Sequence, residues 1–231
     1  MKNAFNVDIS DISILPQSKN FHDEKFSEFM PEDIFTKNQN GKRVLDGKRL
    51  EESWFKPITA DFFISHKGEN VNEAKKLGAY LQSKGKTVFI DSLIWRNISR
   101  LQRLIDNDYC KTAIQTYAYE KRNKSTSYTH MLLANALLKT IANCENFVFL
   151  NTPESVKAVD TVTGNAETNS PWIYFEINVA NSMLRKTGST ENFAIRESMG
   201  DSMIEMAFET DLRNFCKVNI GEFLGKIGIE F

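Results

Sequence analysis

The residues that could do chemistry in this chain fall in three short clusters: Ser65-His66-Lys67, then Asp91-Ser92 with Trp95 close behind, then Trp172 with Glu176. Trp172 and Glu176 are four apart, so on a helix they share one face and point together. A carboxylate set against an aromatic wall can stabilise an oxocarbenium-like transition state at a sugar carbon, or add to it, as in glycoside cleavage. An acid near a helix N-terminus is also favourable through the helix dipole and then needs no further role. His66 and Lys67 read either as an exposed loop or as groups that bind a ribose or a pyrophosphate. Trp95 reads either as a platform for a base or as a structural aromatic. Cys110, Cys144 and Cys216 are odd in number and widely spaced, without the pairs that metal sites or disulfide frameworks need, so they read as reduced and structural, and no metal is expected.

The first two clusters sit at the ends of a predicted βαβ unit over residues 60–92. Asp61-Phe62-Phe63-Ile64-Ser65 is a β-rich run that stops at the polar turn His66-Lys67-Gly68-Glu69-Asn70, with Asn70 as a helix cap. Val71, Ala74, Leu77, Gly78 and Leu81 recur at helical spacing, and Gly85 ends that helix. Thr87-Val88-Phe89-Ile90 is then a continuous apolar run, the pattern of a parallel strand buried on both faces. Open sheets of this kind bind ligands outside the carboxyl ends of their strands, where Ser65, His66, Lys67, Asp91 and Ser92 lie.

Composition narrows the partners. The chain has 231 residues, with 29 Lys and Arg against 30 Asp and Glu, so a net charge of −1 argues against nucleic acid as an obligatory partner. Apolar residues at 41% and a mean hydropathy of −0.39, with no long apolar run, fit a globular fold and exclude a membrane span. The start of the chain shows no apolar secretory core, which makes the cytoplasm the expected location.

Residues 1–58 carry no sustained period and read as an N-terminal extension with short helices and turns, a helix start at Pro31-Glu32-Asp33 and a turn at Asn38-Gln39-Asn40-Gly41-Lys42. After the second strand, Ile98, Leu101, Leu104 and Ile105 give one amphipathic segment. Residues 120–125 read as a charged break, and Met131, Leu132, Leu133, Ala134, Leu137, Leu138 and Ile141 as a deeply buried helix. Phe147-Val148-Phe149-Leu150 is the third strand, and residues 156–169 a polar loop. Ser170 as N-cap and Pro171 as first residue begin the helix that carries Trp172 and Glu176. Phe193-Ala194-Ile195 and residues 203–208 read as the fourth and fifth strands, and residues 220–227 as a closing helix.

The order and spacing of Asp61-Phe62-Phe63-Ile64-Ser65-His66, Val88-Phe89-Ile90-Asp91, Asn146-Phe147-Val148-Phe149-Leu150 and Ser170-Pro171-Trp172 through Glu176 resemble a Toll/interleukin-1 receptor (TIR) domain of the bacterial NAD-cleaving type. The resemblance implies an α/β fold with a flavodoxin-like parallel sheet flanked by helices over residues 59–231. It implies an NAD nucleosidase with Glu176 as the catalytic residue four after Trp172, and a substrate site that takes in Ser65, His66, Lys67, Asp91, Trp95 and Trp172. NAD would be the substrate and no cofactor is implied. The product would be ADP-ribose or a cyclic ADP-ribose-type signal in antiphage defence, with self-association through TIR domains and an effector protein that the product activates. In that family the loop beginning at the position of Asp91 gates the site. This chain departs in having Leu93-Ile94-Trp95-Arg96-Asn97 there in place of a glycine-containing loop, and in its long segment at 156–169. Two other readings remain: a non-enzymatic scaffold that works by self-assembly, and a nucleoside deoxyribosyltransferase-like enzyme with a carboxylate nucleophile.

Overall fold

The computed structural model describes residues 1–16, 20–22, 35–37, 40–41, 43–54, 56–153, 155–160, 165–184, 195–199 and 204–229. In chain order these form β1 (Asn3–Asp8), β2 (Phe35–Lys37), β3 (Arg43–Leu45), α1 (Gly47–Trp54), β4 (Phe62–Ser65) and α2 (Val71–Ser83). Next come β5 (Val88–Ile90), α3 (Ser92–Ile105), α4 (Tyr119–Asn143), β6 (Asn146–Asn151), β7 (Lys157–Asp160) and β8 (Asn165–Thr168). The last are α5 (Pro171–Leu184), β9 (Ile195–Met199), β10 (Ile204–Asp211), β11 (Cys216–Asn219) and α6 (Ile220–Lys226). They divide into two units: Met1–His22, Ile58–Ser92 and Thr140–Phe231 in the first, and Asp23–Pro57 with Leu93–Lys139 in the second. No helix among the described residues is long and apolar enough to cross a membrane.

The first unit is α/β, built on a five-stranded sheet in the order β11-β1-β6-β4-β5 whose pairings are all parallel. From the β5 edge the strands run 3-2-4-1-5 in chain order, a parallel arrangement consistent with a flavodoxin-like fold; the chain passes from β5 across β4 to β6, and the ligand crevice of such a sheet opens at that switch point, beside β4. The βαβ unit forms as its pattern predicts. Helix α2 ends in a left-handed turn at Gly85, with φ of 76°. The amides of Gly85 and Lys86 reach back to the Gln82 and Leu81 carbonyls at 3.0 and 3.1 Å, which closes the helix in a Schellman arrangement.

Alternation along the strands sorts the core onto two faces. Phe62 on one face meets Phe223 of α6 edge to face at 6.0 Å, and Phe5 of β1 meets the same ring at 5.1 Å. On the other face Phe63 stacks on Phe147 at 5.4 Å and lies 5.2 Å from Phe89. Ser65, two residues beyond Phe63, ends β4 on that second face, level with Phe149 of β6.

Several expectations are corrected. Residues 1–58 are not wholly an extension, because Asn3–Asp8 is an inner strand paired with β11 on one side and β6 on the other. Its Asn3, Asn6 and Asp8 break up the apolar run, and its partners lie far along the chain, so no local pattern announces it. That strand takes the fourth place in the sheet, and Cys216–Asn219 takes the fifth. Of the strands expected there, β9 and β10 belong instead to a separate antiparallel sheet of order β7-β8-β10-β9. The polar segment at 156–169 supplies β7 and β8, so it is a hairpin and not a loop. The helix start expected at Pro31-Glu32-Asp33 lies outside the described residues, as do Phe193 and Ala194.

In the second unit β2 and β3 pair antiparallel around Gly41, whose φ of 73° suits the turn. Asp91 is followed at once by α3, so the expected gating loop after the second strand is a helix. The charged break at 120–125 is likewise helical, because α4 runs unbroken over its 25 residues. That helix is not buried all round: Leu133 and Leu137 are at 0% exposure, but Tyr128 and Met131 are 67% and 70% exposed.

Candidate active site

Helix α5 positions the central residue. Ser170 caps it, its Oγ accepting from the Ile173 amide at 3.3 Å, and Pro171 occupies the first turn, where its missing N–H is harmless. Ile173, Glu176, Ile177 and Ala180 recur at i, i+3, i+4 and i+7 and are all buried, so Glu176 stands within the apolar stripe that faces the core. It is the sixth residue of α5, beyond the first turn where the helix dipole is felt, so the dipole does not account for an acid here.

Glu176 is completely buried, at 0% exposure. Its Oε2 accepts a 2.6 Å hydrogen bond from Ser65 Oγ, itself at 0% exposure, while Oε1 has no hydrogen-bond partner. Burial first, then the charge of nearby Asp91, push the Glu176 carboxyl well above the usual carboxylate range, and the Ser65 hydrogen bond pulls the other way. Burial and the neighbouring Asp91 thus both favour the protonated carboxyl.

Asp91 follows β5 directly, and Ser65 ends β4. Since Ile64 pairs with Ile90, the residues that follow leave the sheet on one face. Asp91 Oδ1 accepts from the Ser92 amide at 2.7 Å and lies 3.3 Å from His66 Nε2. The His66 tautomer follows from its partners. Nδ1 lies 2.6 Å from the Lys67 carbonyl oxygen, which can only accept, so Nδ1 carries hydrogen. Nε2, 2.9 Å from Ser92 Oγ, is then free to accept from that hydroxyl.

The fold thus brings Ser65, His66, Asp91 and Glu176 together from a strand, a helix and the turns that follow β4 and β5. His66 is buried at 3% exposure, with both ring nitrogens in internal contacts, so the exposed-loop reading does not hold for it. Lys67 is different: its Nζ meets Glu69 at 3.5 Å on the surface. Trp172 is half-buried and packs edge to face on Phe175 at 6.2 Å, one turn before Glu176. Trp95 lies near the start of α3, in the second unit, and its side chain is outside what the structure describes.

Two partnerships are not visible in the sequence. Ser65 and Glu176 are 111 residues apart, and only the placement of α5 against the end of β4 makes them neighbours. Asn70, expected as a cap for α2, makes no side-chain capping bond and instead accepts from Thr152 Oγ1 at 3.2 Å, tying the loop after β4 to the end of β6. Among the described residues no group of three or more His, Cys, Asp or Glu side chains could hold a metal ion. Cys110 and Cys144 are buried, Cys216 is exposed, and all three are free thiols. Comparison with known proteins finds no matching family model, curated protein or solved structure.

Proposed function

We propose that the chain cleaves the bond between nicotinamide and ribose in NAD, with Glu176 as the catalytic carboxylate. The observation that carries the reading is the setting of Glu176: a fully buried carboxyl at the carboxyl edge of a parallel sheet, held by one oxygen and beside a second carboxyl. A site with two carboxyls and little water favours a cation, and nicotinamide bonded to ribose is one. Arrival of that positive charge favours the ionised form of Glu176, against the burial and the Asp91 charge that raise its proton affinity.

The C1–N bond then breaks with its electron pair going to the nicotinamide nitrogen, which leaves neutral and needs no general acid. Glu176 meets the charge developing on the sugar, by electrostatic stabilisation or by adding to C1. Water attacks C1 and gives its proton to the carboxylate, which yields ADP-ribose, or a nucleophile from the adenosine half closes a cyclic product. Because Glu176 has no exposed surface, the side chains over it must part to admit substrate. Such a step suits activation by assembly, and the resemblance to TIR domains points to antiphage signalling through an effector that senses the product.

One observation favours a second reading. Cleavage of a neutral nucleoside does require a proton on the departing base, and a protonated Glu176 carboxyl beside Asp91 could supply it. That is the chemistry of a nucleoside deoxyribosyltransferase. Incubating the purified protein with NAD and, separately, with deoxynucleosides, and following released base by chromatography, separates the two. Nicotinamide release is the expected result; release of base from deoxynucleosides alone would favour the second reading. Silence with both at high protein concentration would point to a scaffold.

A further inference from the structure

We propose that Ser65 is a positioning residue: by fixing Oε2 of Glu176 it assigns Oε1 as the oxygen that meets the reacting sugar carbon. The inference rests on the glycosidic reading of the site and deepens it. Ser65 and Glu176 are both at 0% exposure, and their 2.6 Å separation is at the short end for a hydroxyl donating to a carboxyl oxygen. Oε1 shares that sealed setting yet has no hydrogen-bond partner. A buried polar atom left unpaired calls for an explanation, and beside a second carboxyl at the carboxyl edge of the sheet a ligand supplies it.

The mounting is rigid. Ser65 is the last residue of β4, a strand paired on both sides, so its hydroxyl is held by the sheet and not by a loop. The other ionisable groups nearby do not take its place. Asp91, directly after β5, is a carboxyl and raises the proton affinity of Glu176. His66, after β4, is engaged with Asp91, Ser92 and the Lys67 carbonyl, and the Lys67 amine turns to Glu69. During cleavage the C1–N pair departs on nicotinamide, Oε1 faces C1, and the Ser65 O–H stays on Oε2 and shares the carboxylate charge.

The test is the pH profile of nicotinamide release from NAD by the wild-type protein, Ser65→Ala and Ser65→Cys. The alanine variant leaves no group too large for the space and removes one donor to a charged acceptor, so kcat is expected to fall about 10- to 100-fold while KM stays within about twofold. The hydroxyl favours ionised Glu176, so its removal moves the acid limb of the profile to higher pH; Asp91 and His66 are unchanged in the variant. Cysteine, a weaker donor, should fall between. A merely structural defect would lower the rate at every pH and leave the limb in place. An active wild-type protein with an unmoved acid limb in Ser65→Ala overturns the positioning role alone, whereas a wild-type protein silent on NAD overturns the NAD-cleaving reading beneath it.

Discussion

At the level of single residues, Glu176 combines two demands that ordinary packing keeps apart. A structural acid in a core finds partners for both oxygens. Glu176 has one partnered oxygen, one bare one and an acidic neighbour, and burial with that neighbour's charge raises its proton affinity well above the usual carboxylate range. A stability signature follows. The folded state holds the proton more tightly than the unfolded chain, whose glutamate follows the ordinary value of 4.5. The stabilisation is therefore complete below 4.5 and is lost as pH rises from there through the raised folded value. Glu176→Gln keeps an acceptor for Ser65 and cannot ionise, so its urea midpoint should lack this decline and exceed the wild-type midpoint at high pH. Parallel midpoint curves for the two proteins would show that the proton affinity of Glu176 is not raised. The sequence carried part of this. Trp172 and Glu176 are legible as a shared face, and Ile173, Ile177 and Ala180 mark the same face as the buried one. The donor on β4 was legible only as a site residue, not as Glu176's partner, because the tertiary packing of a helix on a strand joins them.

At the level of elements, the second unit holds a polar knot that joins the end of α3 to α4. Asp106, 4% exposed in the π-helical turn after α3, accepts from Gln102 at 2.9 Å, Ser125 at 2.7 Å and Arg122 at 3.2 Å. Cys110 Sγ stands 3.5 Å away, and burial pushes that thiol's pKa up. Asp106→Ala removes the shared acceptor and should cost about 1–3 kcal/mol for each buried donor left unpaired, read as a lower melting temperature without loss of sheet signal. A melting temperature unchanged within error would contradict a stabilising role for the knot. The amphipathic pattern of α3 was readable from Ile98, Leu101, Leu104 and Ile105. The continuity of α4 through Glu120-Lys121-Arg122-Asn123-Lys124 was not, because an exposed helical turn and a charged loop have the same composition.

At the level of the whole molecule, the parallel sheet was legible where three apolar runs stand close to their turn signals, at β4, β5 and β6. Its remaining strands were not. β1 interleaves Asn6 and Asp8 with Phe5 and Val7, and β11 buries only Val218 of its four residues. The N-terminus is therefore a structural part of the first unit: deleting residues 1–9 removes the strand between β11 and β6. The truncated protein should fail to unfold cooperatively, and a truncation with a wild-type melting curve would contradict the inner-strand assignment. The account as a whole stands on Glu176 as a catalytic group in a folded site. Nicotinamide release from NAD by the wild-type protein and Glu176→Gln, at matched folded concentration, tests it most directly. Release by the wild type and a loss of about a hundredfold or more in the variant is the predicted result, the scale of one charge-stabilising group; near-normal release by Glu176→Gln would contradict it.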